Sequence, residues 1–286
     1  MKIYYINRDQ STARRDWMES QLSQLANDKI QYSRISAVEG ATLTEAEINA
    51  VTDYDQGATR KLSVNEVGCF LSHRKAWQLI SDSPDEYGVV MEDDVLLSSK
   101  VDLFLSNTNW IPKGTAYIRL EVTNDLGLRL LQCHRRGRIR DVKYELFKFT
   151  NGAGAGAYVL HRELAKWLLI HYAIISIPVD IVLLDPDLFD KGVPNQLPEP
   201  LRLQLVPTIV VQQICRKKRF LPIEAEVSSI EPERARANSK FELDNKDSLS
   251  VSRKMTREIL RLFSIKQWKR FYNAIISPKI TFLEWI

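Results

Sequence analysis

The chain has 286 residues, 44% of them hydrophobic and 27% charged, with three cysteines and a formal net charge of +4. That length buries a substantial core in one large α/β domain or two modest ones, and so ordinary a composition excludes a disordered, collagen-like or coiled-coil chain. Cys69, Cys133 and Cys215 are odd in number and far apart, which excludes a disulfide framework and a CxxC zinc pattern and points to a reducing, cytoplasmic compartment.

Residues 2–6 are a β-branched and aromatic run ending at Asn7, the pattern of a buried first strand; they turn polar too soon to be the apolar core of a secretory signal. Trp17, Met18, Leu22 and Leu25 then recur at helical spacing behind a Ser/Thr start. A strand is expected over 31–36, helices over 43–50 and 66–80, and an apolar strand over 87–91 that runs into three consecutive carboxylates, Glu92, Asp93 and Asp94. Alternation of strand and helix predicts an α/β fold with an open, mostly parallel sheet and helices on both faces. Further strands are expected over 116–121 and 144–149, separated by a basic stretch at 135–140. Small residues at 151–157 turn into a strand ending at Leu160, and a helix follows over 162–172. Pro178, Val179 and Asp180 open the next segment, 194–200 is a loop, and 203–211 is a last strand interrupted by Pro207. The longest apolar stretch, 167–177, is too short to span a bilayer.

Charge divides the chain. Residues 1–214 hold 24 Lys/Arg against 27 Asp/Glu, whereas 215–286 hold 16 against 9. The acidic body argues against nucleic-acid binding. The basic tail carries Met255, Ile259, Leu262, Phe263, Trp268, Phe271, Tyr272 and Ile275 opposite Arg257, Arg261, Lys269 and Arg270. It reads either as an amphipathic segment for an anionic membrane surface or as a solvated helix face. The expected division is a catalytic domain over 1–214 and a basic, partly helical extension over 215–286.

Ligands of open α/β sheets bind beyond the carboxyl ends of the strands, where the acidic triplet falls. Adjacent carboxylates near a buried strand are costly unless a cation neutralises them, and hard oxygen ligands suit Mg²⁺ or Mn²⁺; the competing reading is a solvated acidic turn.

Residues 62–73, Leu-Ser-Val-Asn-Glu-Val-Gly-Cys-Phe-Leu-Ser-His, follow the pattern L-S-x-x-E-[IV]-G-C-x-L-S-H, and Trp77 stands beyond them. Ala37-Val38-Glu39-Gly40 fits A-V-[DE]-G, Glu92-Asp93-Asp94 fits E-D-D, and Pro178-Val179-Asp180 fits P-[VI]-D. The opening from Ile6 to Arg15 is similar to I-N-L-x-R-S-x-x-R-R but departs from it at Arg8 and Gln10. By these motifs, which span about residues 1–213, the chain resembles glycosyltransferase family 25, the bacterial lipopolysaccharide and lipooligosaccharide glycosyltransferases and their collagen galactosyltransferase relatives.

The resemblance implies a GT-A fold, a UDP-galactose or UDP-glucose donor, an inverting mechanism, a divalent metal and a lipooligosaccharide acceptor, with the enzyme peripheral on the cytoplasmic face of the inner membrane. It implies Asp94 as the metal ligand, with Glu92 and Asp93 orienting the ion or bonding the ribose. Asp180 is the preferred catalytic base, although an Asp there also suits a helix N-cap, and Glu121 is the other candidate. Glu66, Ser72 and His73 are expected on a helix against the donor site, with a core role for His73 still open. Asn7, with Arg14 or Arg15 on the following helix, is expected to reach uracil or phosphate, the competing reading for the arginines being a solvated helix face. The competing functions are a metal-dependent hydrolase, which calls for a His-rich or two-metal cluster poorly served by four scattered histidines, and a binding protein that keeps the fold without activity.

Overall fold

The computed structural model describes residues 1–25, 29–54, 60–122, 129–150, 154–184 and 201–213. The expectations for the loop at 194–200 and for the extension over 215–286 lie outside them. Among the described residues no helix is long and apolar enough to cross a membrane.

The first half follows the alternation read from sequence. Strand β1 (Lys2–Asn7), helix α1 (Thr12–Leu25), strand β2 (Gln31–Ser36), helices α2 (Glu45–Val51) and α3 (Val64–Ser81) and strand β3 (Tyr87–Glu92) occur in that order. β1 is buried almost throughout because it lies between β2 and β3, parallel to both, and has a helical layer on each face. α3 starts at Val64, two residues before its apolar period begins, because Ser63 accepts from the Glu66 N–H while the Glu66 carboxylate accepts from the Ser63 N–H. Ser-x-x-Glu is the sequence of such a reciprocal cap.

Further on lie β4 (Val95–Leu97), α4 (Val101–Leu105), β5 (Thr115–Arg119), β6 (Glu121–Val122), β7 (Arg129–Ile139), β8 (Val142–Thr150), β9 (Ala157–His161), α5 (Arg162–His171), α6 (Val179–Leu184), β10 (Leu201–Val206) and β11 (Val210–Gln212). The large sheet runs β2-β1-β3-β9-β5-β10-β8-β7, and a small one runs β4-β11-β6. The open α/β sheet with helices on both faces is therefore as expected, but its pairing is mixed rather than mostly parallel. β2–β1, β1–β3 and β5–β10 are parallel. β9 enters antiparallel between β3 and β5, and β8 pairs antiparallel with both β10 and β7. The β7–β8 hairpin needs only a tight turn, with Arg140 at φ 52°, where a parallel pair would need a crossover helix.

Two cores flank the sheet. Phe70, Trp77 and Ile80 of α3 pack with Leu164 and Leu168 of α5 and Val182 and Leu183 of α6 on one face. Met18 and Leu22 of α1 pack with Leu103 and Phe104 of α4 on the other.

The two glycine motifs are one packing device. A Cβ on Gly68 would lie 2.6 Å from the Val38 carbonyl oxygen and 2.7 Å from the Gly40 nitrogen, and one on Gly40 would lie 2.0 Å from the Val64 carbonyl oxygen. Only bare backbone lets the 37–40 loop lie on α3. Gly68→Ala is expected to cost about 2–3 kcal/mol, since the atoms in the way are backbone. The corresponding fall in melting temperature is roughly 5–10 °C, checked by thermal unfolding.

Candidate active site

β1 and β3 are parallel neighbours with Ile6 opposite Glu92, so both end on the same edge of the sheet. The loop after β2 ends there too, with the Ala37 N–H bonded to the Asn7 carbonyl. Between them opens a cleft whose walls include Asn7, Val38, Glu39, His73, Glu92, Asp93 and Asp94. The triplet thus sits beyond the strand ends, as expected of a ligand site in such a sheet.

The three acids are not equivalent. Asp93 turns toward α1, where its Oδ2 accepts from Asn7 Nδ2 at 2.7 Å and its Oδ1 from Arg14 at 3.0 Å. Burial raises its pKa against the pull of Arg14 and Asn7. Glu92 and Asp94 face the other way and share one donor: Gln212 Nε2 bonds Glu92 Oε2 at 2.9 Å and lies 3.4 Å from Asp94 Oδ1. Burial, reinforced by the negative charge of Glu92, pushes the Asp94 carboxyl up to about 7. Two carboxylates pressed together in a poorly solvated corner make a place where a cation binds in preference to protons.

Several residues expected to meet a ligand are engaged within the protein. Asn7 donates to Asp93 and to the Ser11 carbonyl and accepts from Arg34 at 2.9 Å, so its amide holds the acidic turn rather than reaching outward. Arg14 is the ionic partner of Asp93. Glu66 caps α3 and pairs with Arg60 through both oxygens, at 2.6 and 2.7 Å. Ser72 Oγ accepts from the Val38 N–H at 2.8 Å and donates to the Gly68 carbonyl, tying the signature helix to the 37–40 loop. Arg8, at a position where the opening motif departs from its pattern, donates from Nε to both carboxylate oxygens of Glu39, and both residues line the cleft.

His73 is fully buried yet part of the cleft wall. Its Nδ1 lies 2.9 Å from the Tyr158 hydroxyl and its Nε2 3.3 Å from Glu92 Oε1. Trp77 Nε1 donates to the same hydroxyl at 2.9 Å. By packing it is a core histidine, and it also reaches a carboxylate of the cleft.

Glu121 and Asp180 both stand against the glycine turn before β9, Glu121 on the side of this corner. Glu121 Oε1 accepts from the Gly156 N–H at 3.0 Å, and a Cβ on Gly156 would run into Gln212 and Glu121 at 2.4–2.5 Å. Burial pushes the Glu121 carboxyl up to about 8, with Arg119 opposing and Glu92 and Asp94 adding to the rise. Asp180 Oδ2 accepts from the Gly154 N–H at 3.3 Å, and its Oδ1 from the Ile181 N–H at 3.0 Å. It lies within the first turn of α6 and not at the N-cap.

Between the ordinary carboxylate value and pH 8 the folded protein keeps a proton on Glu121 that the unfolded chain releases, so stability falls as pH rises through that window. Glu121→Gln should flatten that fall, as read from melting temperatures in a pH series without metal.

Gln212 and Tyr158 are site residues that sequence reasoning missed. Gln212 reaches the triplet only because β11 pairs with β4, placing it opposite Val95. Tyr158 carries no signal beyond an apolar strand.

Fold and site together define an α/β protein whose cleft, at the carboxyl ends of parallel strands, is built around a pair of neighbouring carboxylates. The chain belongs to glycosyltransferase family 25: residues 1–183 match the family described as "Glycosyltransferase family 25 (LPS biosynthesis protein)". Lipooligosaccharide biosynthesis protein lex-1 of Haemophilus influenzae is 26% identical over 223 residues, 74% of this chain and 68% of that protein. The lacto-N-neotetraose biosynthesis glycosyltransferase LgtB of Neisseria gonorrhoeae is 24% identical over 230 residues, 77% of this chain and 78% of its own. Human procollagen galactosyltransferase 2 is 34% identical over 100 residues, 33% of this chain but 16% of that protein. Among solved structures, the galactosyltransferase LgtC in complex with donor and acceptor sugar analogues aligns over 84% of this chain and 96% of its own, at 12% identity and a TM-score of 0.35. So loose a superposition places no side chain.

Proposed function

We propose that the protein is an inverting GT-A glycosyltransferase that transfers galactose or glucose from its UDP-sugar to a lipooligosaccharide acceptor. Family membership supports sugar transfer, and the relatives named for lipooligosaccharide biosynthesis support the acceptor class. The observation that carries the site assignment is the carboxylate pair Glu92 and Asp94 in the cleft wall, joined by Gln212. The raised proton affinity of Asp94 fits a corner that gains from a cation. A Mn²⁺ or Mg²⁺ ion held there would neutralise the charge that grows on a departing diphosphate.

The remaining roles belong to the chain itself. Asp93, held by Asn7 and Arg14, keeps the turn in place and offers its rim to a ribose. His73 and Gln212 fix the two ends of Glu92. Inversion needs one displacement: the acceptor hydroxyl oxygen bonds to the anomeric carbon as the bond to the diphosphate oxygen breaks, and a carboxylate takes the hydroxyl proton. Asp180 is assigned that proton. Glu121, against the same glycine turn, is the second reading.

The experiment is thermal stabilisation by UDP with and without Mn²⁺, followed by UDP release from each donor in the presence of acceptor glycolipid. Stabilisation that requires both components is expected; UDP binding indifferent to metal would remove the assignment. For the basic extension, deleting 250–286 should release the protein from anionic vesicles, and unchanged partitioning in a flotation assay would dispose of an anchor.

A further inference from the structure

We infer that Cys69, His73 and Glu92 form a second metal position on the cleft wall, suited to Zn²⁺ and different in chemistry from the Glu92–Asp94 pair. Cys69 and His73 stand one helical turn apart on α3, so both side chains leave the same face, and Glu92 meets them from the end of β3. One ligand atom from each, a thiolate sulfur, an imidazole nitrogen and a carboxylate oxygen, lies within 4.8 Å of the other two.

The spacing suits zinc. Bonds to sulfur, nitrogen and oxygen at their usual lengths put neighbouring ligand atoms of a tetrahedral zinc about 3.3–3.7 Å apart. His73 Nε2 and Glu92 Oε1 are already 3.3 Å apart. The Cys69 sulfur lies within 4.8 Å of both, on a partly buried side chain that lines the cleft and packs against the core.

Tyr158 supplies the support that a metal-bound histidine needs. Trp77 Nε1 is a donor only, so it fixes the Tyr158 oxygen as its acceptor. Without a cation, the Tyr158 hydroxyl can donate to His73 Nδ1, 2.9 Å away, while Nε2–H donates to Glu92; a cation at Nε2 reverses the first bond, and Nδ1–H then donates to the Tyr158 oxygen. Three protein ligands with the fourth side open to the cleft is the arrangement of a zinc site that keeps an exchangeable position. Thiolate and imidazole favour zinc over Mn²⁺ or Mg²⁺, whose preference is for oxygen alone. Because Glu92 belongs to both positions, zinc here withdraws it from the carboxylate pair and inhibits transfer. That consequence rests on the proposed glycosyltransferase reading; the site itself does not.

The test uses the full chain with metal alone. Co²⁺, a spectroscopic substitute for zinc, should bind one per protein with the d–d bands of a tetrahedral centre and a thiolate-to-metal charge-transfer band, and Zn²⁺ should bleach both. Cys69→Ser should abolish the charge-transfer band. Tyr158→Phe should weaken Zn²⁺ binding by about 10–100-fold, measured against a chromophoric chelator. Glu92→Gln, which keeps the shape and both cysteine and histidine, should weaken it at least about tenfold and serves if the Cys69 variant does not fold. No stoichiometric binding, a cobalt spectrum without thiolate character, or a charge-transfer band that survives Cys69→Ser overturns the site. In transfer assays Zn²⁺ should inhibit the wild type and lose that effect in Cys69→Ser. A protein that binds zinc at these residues but transfers no sugar refutes the enzymatic reading and leaves the metal site standing.

Discussion

Asp94→Asn is expected to abolish the Mn²⁺-dependent stabilisation by UDP and to lower transfer on the order of 10³-fold, the loss of several kcal/mol of charge stabilisation at the departing diphosphate. The same change should leave the metal-free protein at pH 8 as stable as the wild type or more so. In the wild type, burial and the neighbouring Glu92 resist ionisation of Asp94, whose carboxyl is pushed up to about 7; above that pH the folded state therefore carries an unfavourable charge that the unfolded chain does not feel. An amide removes that charge and still offers an oxygen to Gln212, which lies 3.4 Å from Asp94 Oδ1. Gain in stability together with loss of ligand response marks a residue kept for binding rather than folding. Unchanged UDP stabilisation in Mn²⁺ would refute the ligand role. A drop in metal-free melting temperature would mean that Asp94 serves the fold.

What could be read from the sequence follows the range of the interactions involved. β1, β2 and β3 and helices α1 and α3 announce themselves because each carries its own apolar period and is flanked by layers that the period must match. The acidic triplet was legible because position alone, directly after an apolar strand, puts it at a ligand edge. β7 was not. Its sequence RLLQCHRRGRI shows no clean alternation, since much of it is exposed and its pairing with β8 slips register twice. β4 and α4 are short, three and five residues, and take their shape from tertiary contacts: β4 from β11, α4 from the sheet face it covers.

The site divides along the same line. Glu92, Asp93 and Asp94 lie together in sequence, but which two share a donor depends on Gln212, 118 residues beyond Asp94. The signature helix is legible as a pattern, and several of its residues also serve the fold. A place against the donor site is expected of Glu66, and Ser63-Val64-Asn65-Glu66 also spells the reciprocal cap that this glutamate forms. Gly68 and Ser72 likewise serve the 37–40 loop, so the motif shapes a wall of the cleft more than it supplies reacting groups.

Asp180→Asn is expected to reduce turnover by about 10²–10⁴-fold with UDP binding and acceptor KM little changed, because the substitution removes a proton acceptor and keeps the volume and one oxygen for the Gly154 N–H. Glu121→Gln should cost far less. With its carboxyl pushed up to about 8, Glu121 already carries a proton at neutral pH, and a protonated acid cannot take another from an attacking hydroxyl. Glu121 is also fully buried, with Arg119 Nε 3.6 Å from the same Oε1 that accepts from the Gly156 N–H, a placement that props the glycine turn before β9. The pH profile separates the two bases in a way that rate alone does not. If Asp180 takes the proton, the rate reaches its plateau without an inflection near pH 8, and Glu121→Gln keeps that profile. If Glu121 takes it, the wild-type rate climbs through pH 8 as the carboxyl ionises, the climb disappears in Glu121→Gln, and Asp180→Asn turns over nearly as fast as the wild type.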